Sequence, residues 1–309
     1  MSFTSIVKNE LSKLEIDKIE AISELAAILK NSSSINSSSI NSSIIISTEN
    51  ASVARHIYKL FKTIYNISCK ITVRQGYNYN KNYIYILQIT NMVDIIIKDL
   101  DLDSKIPNDF LIADDVLKRA YIRGLFIASG SVNDPKKSRY HLEIIVDNEE
   151  YACFISDMLN VYFLNSKVIK RDNRYMVYIK EAEKIGDFLR MISAINALLY
   201  YEDIRIYRDH KNMTNRINNC EQANVDKIIM TANNLVNDIN YIQEHASLDL
   251  LDEKCQIAAM YRLKYRESSL AELSEIMTIE TGCSITKPGL HHRFNKIKEL
   301  ASKIRSKEL

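Results

Sequence analysis

The sequence predicts an α+β fold: a duplicated helix-and-sheet body followed by an all-α helix-turn-helix unit. Three observations carry that expectation. An order of helix, strands, helix, hairpin and helix runs twice, over residues 17–100 and again over 116–192, and chance rarely repeats a whole order of elements. Residues 121–132 read Tyr-Ile-Arg-Gly-Leu-Phe-Ile-Ala-Ser-Gly-Ser-Val. Residues 24–35, offset by 97, read Glu-Leu-Ala-Ala-Ile-Leu-Lys-Asn-Ser-Ser-Ser-Ile. Each is an apolar helix end with a small residue at its fourth position, running into a polar turn. Beyond residue 223 the chain reads almost wholly helical and turns basic, with 11 Lys and Arg against 6 Asp and Glu over residues 254–309. The domain limits implied are 1–110, 111–215 and 216–309.

The first repeat opens with a short helix over residues 3–15 and a longer one over 17–31, with Ile19, Ile22, Leu25, Ala26 and Leu29 on one stripe. In residues 31–43, 11 of 13 positions are Ser or Asn. This tract reads either as a disordered spacer or as an eroded, poorly ordered hairpin, and the hairpin is favoured because Ile35 and Ile40 punctuate it. A strand at 44–47 follows, then a helix over 49–65 with Val53, Ile57, Leu60, Phe61 and Ile64 inward. Strands at 70–74 and 83–89 flank a turn at 76–82, and residues 92–100 close the repeat as a helix. Residues 101–115, acidic and carrying Pro107, read as a linker. The second repeat predicts helix 116–128, strand 141–146, helix 149–163, strands 167–170 and 175–179 about a turn at Asp172-Asn173, and helix 181–192. Ala27 and Gly124 have a physical reason to be small, because two helices crossing closely at a pseudo-twofold axis need small side chains at the contact.

Residues 198–224 are rich in Asn and Arg and read as a segment leading out of the body. Arg205, Arg208, Lys211 and Arg216 there stand as candidate phosphate contacts or as exposed linker charges, with neither reading preferred. Long helices follow over 223–245 and 252–265, the latter with Ile257, Met260, Tyr261 and Tyr265 as its inward candidates. Ser268 or Ser269 caps a third helix reaching Met277, with Leu270, Leu273, Ile276 and Met277 inward. A turn over 278–284 contains Gly282, and Thr286 caps a fourth helix that tolerates Pro288 in its first turn. Two short helices about a Gly-containing turn form the helix-turn-helix pattern.

At 100° per residue, Leu290, Phe294, Ile297, Ala301 and Ile304 make the core stripe of that last helix. His292 and Asn295 lie opposite, flanked by Gly289, His291 and Lys296. Asn and His on an outward helix face suit base edges, Asn pairing with adenine in the major groove. Thr286, Lys287, Arg293, Lys296 and Lys298 complete the candidate DNA-binding set over 268–302, the cations fixing register on phosphates. A solvated surface helix is the plain alternative. His291 and His292 do not suggest a metal, since adjacent helical residues point about 100° apart and no Cys lies nearby.

Composition sets bounds. The 309 residues suit about two domains, and 46% hydrophobic content is enough for buried cores. Net charge is only +2, the first 253 residues carrying −3 and the remainder +5. Charge distribution, not its total, hints at an anionic partner. Five cysteines without a Cys-x-x-Cys pair argue against a disulfide framework or a zinc site. The first residues lack a signal-peptide pattern and no stretch reaches about 18 apolar residues. The expectation is a cytoplasmic protein without membrane segment, metal or cofactor, and of unassigned oligomeric state.

The two motifs at 24–35 and 121–132 resemble the paired helices of LAGLIDADG homing endonucleases. That nuclease motif implies an acidic residue at its eighth position to hold a divalent metal, where this chain has Ser32 and Ser129. A scaffold without its carboxylates suggests a protein that holds DNA rather than cuts it. Over nearly the whole length, the chain further resembles the WhiA family of bacterial regulators. Three ordered blocks carry this: Tyr121–Val132 with Tyr140-His141-Leu142-Glu143; Asn196-Ala197-Leu198-Leu199 through Arg216 to Asn219-Cys220-Glu221; and Ser268-Leu270-Glu272-Leu273 with Ile285–Arg293. Ser33 replaces a Gly frequent in that family's first repeat, and Pro288 replaces a commoner Ser. The resemblance implies a degenerate LAGLIDADG body fused to a helix-turn-helix similar to the sigma-factor region that reads promoter −35 elements. It also implies a role in cell division, chromosome segregation or transcription control, with double-stranded DNA and another transcription or cell-division protein as partners. Two rivals remain. One is a metal-dependent endonuclease using Glu24 and Glu143, which are poorly placed, one more than two turns before Ser32 and one in the following strand. The other confines DNA binding to the tail and makes the body a protein-interaction module.

Overall fold

The computed structural model describes residues 2–36, 42–75, 83–137 and 139–306. They fall into two compact units, Met1–Arg208 and Asp209–Leu309. The first opens with α1 (Phe3–Leu11), α2 (Lys18–Ser32), β1 (Ser33–Asn36), β2 (Ser43–Thr48), α3 (Ala51–Tyr65), β3 (Lys70–Gln75), β4 (Tyr83–Ile89) and α4 (Val93–Asp99). After a 3-10 turn at Asp109–Ile112 the same order returns as α5 (Asp115–Ser129), β5 (Gly130–Val132), β6 (Leu142–Val146), α6 (Glu149–Val161), β7 (Lys167–Arg171), β8 (Arg174–Ile179) and α7 (Ala182–Met191). The two sheets have matching strand orders, β1-β2-β4-β3 and β5-β6-β8-β7, and every pairing is antiparallel.

The start of the Ser/Asn tract forms β1, which pairs with β2 as a hairpin, Ser33 opposite Ile46 and Ile35 opposite Ile44. Its tip at 37–41, like the expected turn at 76–82, lies outside the described residues. Two features escaped the sequence reading. One is β5, only three residues long and too short to show a period. The other is the 3-10 turn in the acidic linker, whose buried Leu111 offers its carbonyl to the Ser23 hydroxyl at 2.7 Å. The buried face of α2 is also broader than the predicted stripe, taking in every residue from Ser23 to Leu29, while Ile19 in the first turn is 67% exposed. A single stripe underestimates α2 because α5 packs on one side of it and α3 and the sheet on others.

The α2–α5 crossing explains the small residues. A Cβ on Gly124 would lie closer than 3.0 Å to the backbone carbonyl of Glu24, and 3.0 Å from the Ala27 Cβ. One turn up, the Glu24 carboxylate is fully buried and bonds both the His56 ring and the Arg123 guanidinium, whose other arm reaches Glu20 at 3.1 Å. Ser33 needs no glycine: its backbone is extended, with φ −95°. Its counterpart Gly130 is fixed by space, since a Cβ there would crowd the buried Phe126 closer than 3.0 Å, whereas the first repeat has Leu29 in place of that ring.

The linker expected at 198–224 and the separate helix expected at 223–245 are instead one helix, α8 (Ile195–His245), within which the boundary between the units falls. The segment contains neither Gly nor Pro, and Asn and Arg cost at most about 0.7 kcal/mol each in a helix. Polarity there marks exposure, not a break. The second unit continues with a 3-10 turn (Leu248–Leu250), α9 (Glu253–Lys264), α10 (Leu270–Thr281) and α11 (Lys287–Arg305). Its core gathers Leu235, Ile239 and Ile242 of α8 with Ala258, Leu273, Met277, Leu290, Phe294 and Ile297. The inward side of α9 differs in part from expectation: Ile257, Tyr261 and Tyr265 pack half-buried against the core, but Cys255, Ala258, Ala259 and Arg262 are the buried residues, and Met260 is 56% exposed. The reason is Arg262, whose guanidinium caps the end of α9 by donating to the carbonyls of Tyr265, Arg266 and Ser268 at 3.2, 3.3 and 2.7 Å. A buried arginine hides its stripe from a hydrophobicity reading.

Candidate nucleic-acid interface

The ends of α10 and α11 are set by local chemistry. Ser269 and Glu272 form a reciprocal capping box at the start of α10. Gly282 ends it in the left-handed region at φ +66°. The helix thus runs to Thr281, past the expected Met277, and the connection shortens to residues 282–286. Hydrogen bonds tie this connection down: the Ser274 hydroxyl donates to the Ile285 carbonyl at 2.8 Å, and the Ile285 N–H donates to the Thr278 hydroxyl at 3.1 Å. Thr286 then caps α11, accepting the Gly289 N–H at 3.3 Å, with Pro288 in the first turn.

Buried Leu290, Phe294, Ile297 and Ala301 fasten α11 to the unit. The Cys255 thiol adds a contact to the Arg293 carbonyl at 3.7 Å; burial pushes that thiol up to about 11. The outward side carries exposed Thr286, Lys287, His291, His292 and Lys296, with Gly289, Arg293, Asn295 and Lys298 half-buried beside them. The side chains of Lys287, His291, His292, Arg293, Asn295 and Lys298 make no hydrogen bond or ion pair with another described residue. Lys296 differs. Its ammonium sits 2.9 Å from the Asp252 carboxylate, which also accepts the Cys255 N–H as the cap of α9. Hydrogen bonding to Cys255 and then to Lys296 holds the Asp252 carboxyl well below the usual carboxylate range, and Asp252 in turn raises the Lys296 ammonium.

The four candidate phosphate contacts divide between the two units. Arg205 pairs with Glu202 at 2.7 Å and Glu183 at 3.4 Å. Arg208 donates to the Pro135 carbonyl at 2.7 Å and to that of Lys137, and lies over the Tyr140 ring at 4.7 Å. Both guanidinium groups thus serve the first unit. Lys211 and Arg216 belong to the second unit, exposed on α8.

At the helix ends of the body, Ser32 and Ser129 turn their hydroxyls back onto the carbonyls of Ile28 and Leu125, at 2.7 and 3.4 Å. Glu24 is enclosed by His56 and Arg123, and Glu143 pairs with His141 at 3.2 Å. Among the described residues, no three His, Cys, Asp or Glu side chains converge as a metal site. No helix among them is long and apolar enough to cross a membrane.

Duplicated antiparallel sheets about a crossed helix pair, followed by a capped helix-turn-helix, define a LAGLIDADG-like body joined to a helical DNA-binding type of unit. Models of the WhiA N-terminal LAGLIDADG-like domain, the WhiA LAGLIDADG-like domain and the WhiA C-terminal HTH domain match residues 18–103, 118–211 and 214–301. The chain belongs to the WhiA family. Relatives named "Probable cell division protein WhiA" include one from Staphylococcus epidermidis, 41% identical across 100% of this chain and 99% of its own. Another, from Bacillus cytotoxicus, is 42% identical across 100% and 98%. The crystal structure of full-length DUF199/WhiA from Thermatoga maritima shares the fold, with a TM-score of 0.58 at 24% identity over 98% of this chain and 99% of that one.

Proposed function

We propose that the chain is a non-enzymatic, sequence-specific binder of double-stranded DNA, a transcriptional regulator acting in cell division and chromosome segregation at the bacterial nucleoid. One observation carries this reading: α11 holds outward a row of basic and amide side chains that, Lys296 apart, have no hydrogen-bond or ion-pair partner among the described residues. Asn295 and His292 reach base edges, and Lys287, Arg293 and Lys298 fix the helix on phosphates. Thr286, Gly289 and His291 complete the approach at the helix start, and Lys296 joins from its Asp252 pair. The functional division follows the limits 1–110, 111–215 and 216–309. The relatives' name, cell division protein, supports the cellular role.

A second reading is favoured by the engagement of Arg205 and Arg208 within the body. DNA binding then rests with the C-terminal unit, and the body is a surface for another transcription or cell-division protein. The experiment is selection of sites from a random duplex pool by the full-length protein, at about physiological salt with magnesium present. An enriched motif on uncut DNA is expected. Salt-labile binding without a motif would refute base readout, and a magnesium-dependent nick would refute the non-enzymatic reading. Affinity of residues 209–309 equal to that of the whole chain would favour the second reading.

A further inference from the structure

Beside the outward side of α11 the second unit contains a half-open cavity of about 430 Å³ between α8, the start of α10 and α11. That volume lies within the ~300–1,000 Å³ range of small-molecule sites. Its interior is predominantly apolar, with Ile228, Leu270 and Phe294 among its walls. Its charged lining is of one sign: Lys227, Lys287 and Lys298 border it beside His291, and no Asp or Glu contributes. None of these four side chains has a hydrogen bond or ion pair with another described residue.

Some cations of this unit are matched, Lys264 by Glu280, Lys296 by Asp252 and Arg305 by Asp238, and others, such as Lys211 and Arg216, stand exposed along α8. Those around this hollow differ in bordering an apolar interior with no acid among its lining residues. A second observation comes from inside the wall. Arg262 is 2% exposed and lies over the Phe294 ring at 5.4 Å. Its Nε–H has no hydrogen-bond partner among the described residues. A buried donor left without an acceptor is unfavourable.

We propose that this cavity is a binding site for a small amphipathic anion, an acyl chain carrying a carboxylate. The chain would fill the apolar interior. The carboxylate would sit among the Lys227, Lys287 and Lys298 ammonium groups, with Arg262 behind it. A neutral chain would leave the cations unmatched, and a cationic one would be repelled. Nucleic acid alone offers the charge but nothing for the apolar interior. Lys287 and His291 face both this cavity and the proposed DNA surface, so a bound carboxylate and a DNA phosphate would compete for them.

The test is calorimetric titration of the full-length protein with dodecanoate, below its micellar range and without DNA. Its result is therefore independent of the DNA-binding reading. One saturable site is expected. Affinity should fall about tenfold when Lys227→Ala removes a rim charge or Thr231→Trp fills the mouth. Both positions are exposed on α8, so the fold is kept. Dodecylammonium should show no saturable binding. The proposal is overturned if dodecanoate gives no saturable binding, if both variants bind it as the parent does, or if dodecylammonium binds equally well.

Discussion

The backbone carbonyl of Glu24 occupies the space that a side chain on Gly124 would need. Glu24 and Gly124 lie on the two helices that cross at the centre of the body, so this approach sets how closely the two repeats meet. Gly124→Ala on an exposed helix would stabilise by about 0.5–1 kcal/mol. Here the added methyl meets backbone, and overpacking of this kind costs about 1–3 kcal/mol. Denaturant unfolding of the variant should show a lower midpoint. A midpoint at or above that of the parent would mean the crossing yields easily.

The same crossing encloses the Glu24, His56 and Arg123 cluster. Removing one partner of a buried pair strands a charge and costs about 3–5 kcal/mol. Arg123→Met alone should therefore destabilise strongly. Combining it with Glu24→Leu should recover part of the loss, and a double-mutant cycle measures the coupling. Simple additivity would show that the cluster acts only through packing.

In the second unit the prediction concerns acid. The depressed carboxyls of Asp252 and Glu280 bind protons less readily folded than unfolded. Their contribution is present above the unfolded carboxylate range, about 3.9–4.3, and is lost as pH falls through the lower folded values. The unit should thus lose stability below about pH 4. Asp252→Asn should flatten that acid slope and leave the neutral plateau lower. An unchanged slope would show that the pairing with Lys296 and the α9 cap contributes nothing measurable.

On DNA, two kinds of side chain should separate. Asn295→Ala or His292→Ala should cost about 1–3 kcal/mol on the selected site and relax preference at one position. Lys287→Ala should weaken all sequences alike and reduce the salt slope by about 1. Equal effects of all three on matched and scrambled duplexes would count against base readout by α11.

Arg208 gives the contrasting case. Arg208→Met removes its bonds to the 135–137 turn and its place over Tyr140. It should lower the thermal midpoint of the body and leave DNA affinity within twofold. A large loss of affinity without loss of stability would return Arg208 to the DNA surface.

Much of the fold was legible before any coordinates. The stripe of Leu290, Phe294, Ile297 and Ala301 gave the buried side of α11, and Thr286 marked its start, whereas α10 runs to Thr281, capped by Gly282, four residues beyond the expected limit at Met277. The duplication was readable because two residues, Ala27 and Gly124, had to stay small at one contact. Two readings failed where polarity and burial part company. The Asn-rich stretch of α8 looked like a linker, although nothing in it breaks a helix. The inward side of α9 was displaced because its anchor, Arg262, is charged. Glu24, named only for the rival nuclease reading and poorly placed for it, is a buried partner of Arg123, a role its charge did not suggest.

The sequence by itself determined the repeated order of elements, the cap that starts α11 and the core stripe of that helix, because caps and periodicity are local signals. Only the tertiary structure decided which charges are spent internally. Arg205, Arg208 and Lys296 find partners within their own units, whereas Lys227, Lys287 and Lys298 border one apolar cavity with no hydrogen-bond or ion-pair partner among the described residues. Apart from the i,i+3 pair of Arg205 with Glu202, which spacing does record, pairing depends on which distant carboxylate or carbonyl the fold brings within about 3 Å.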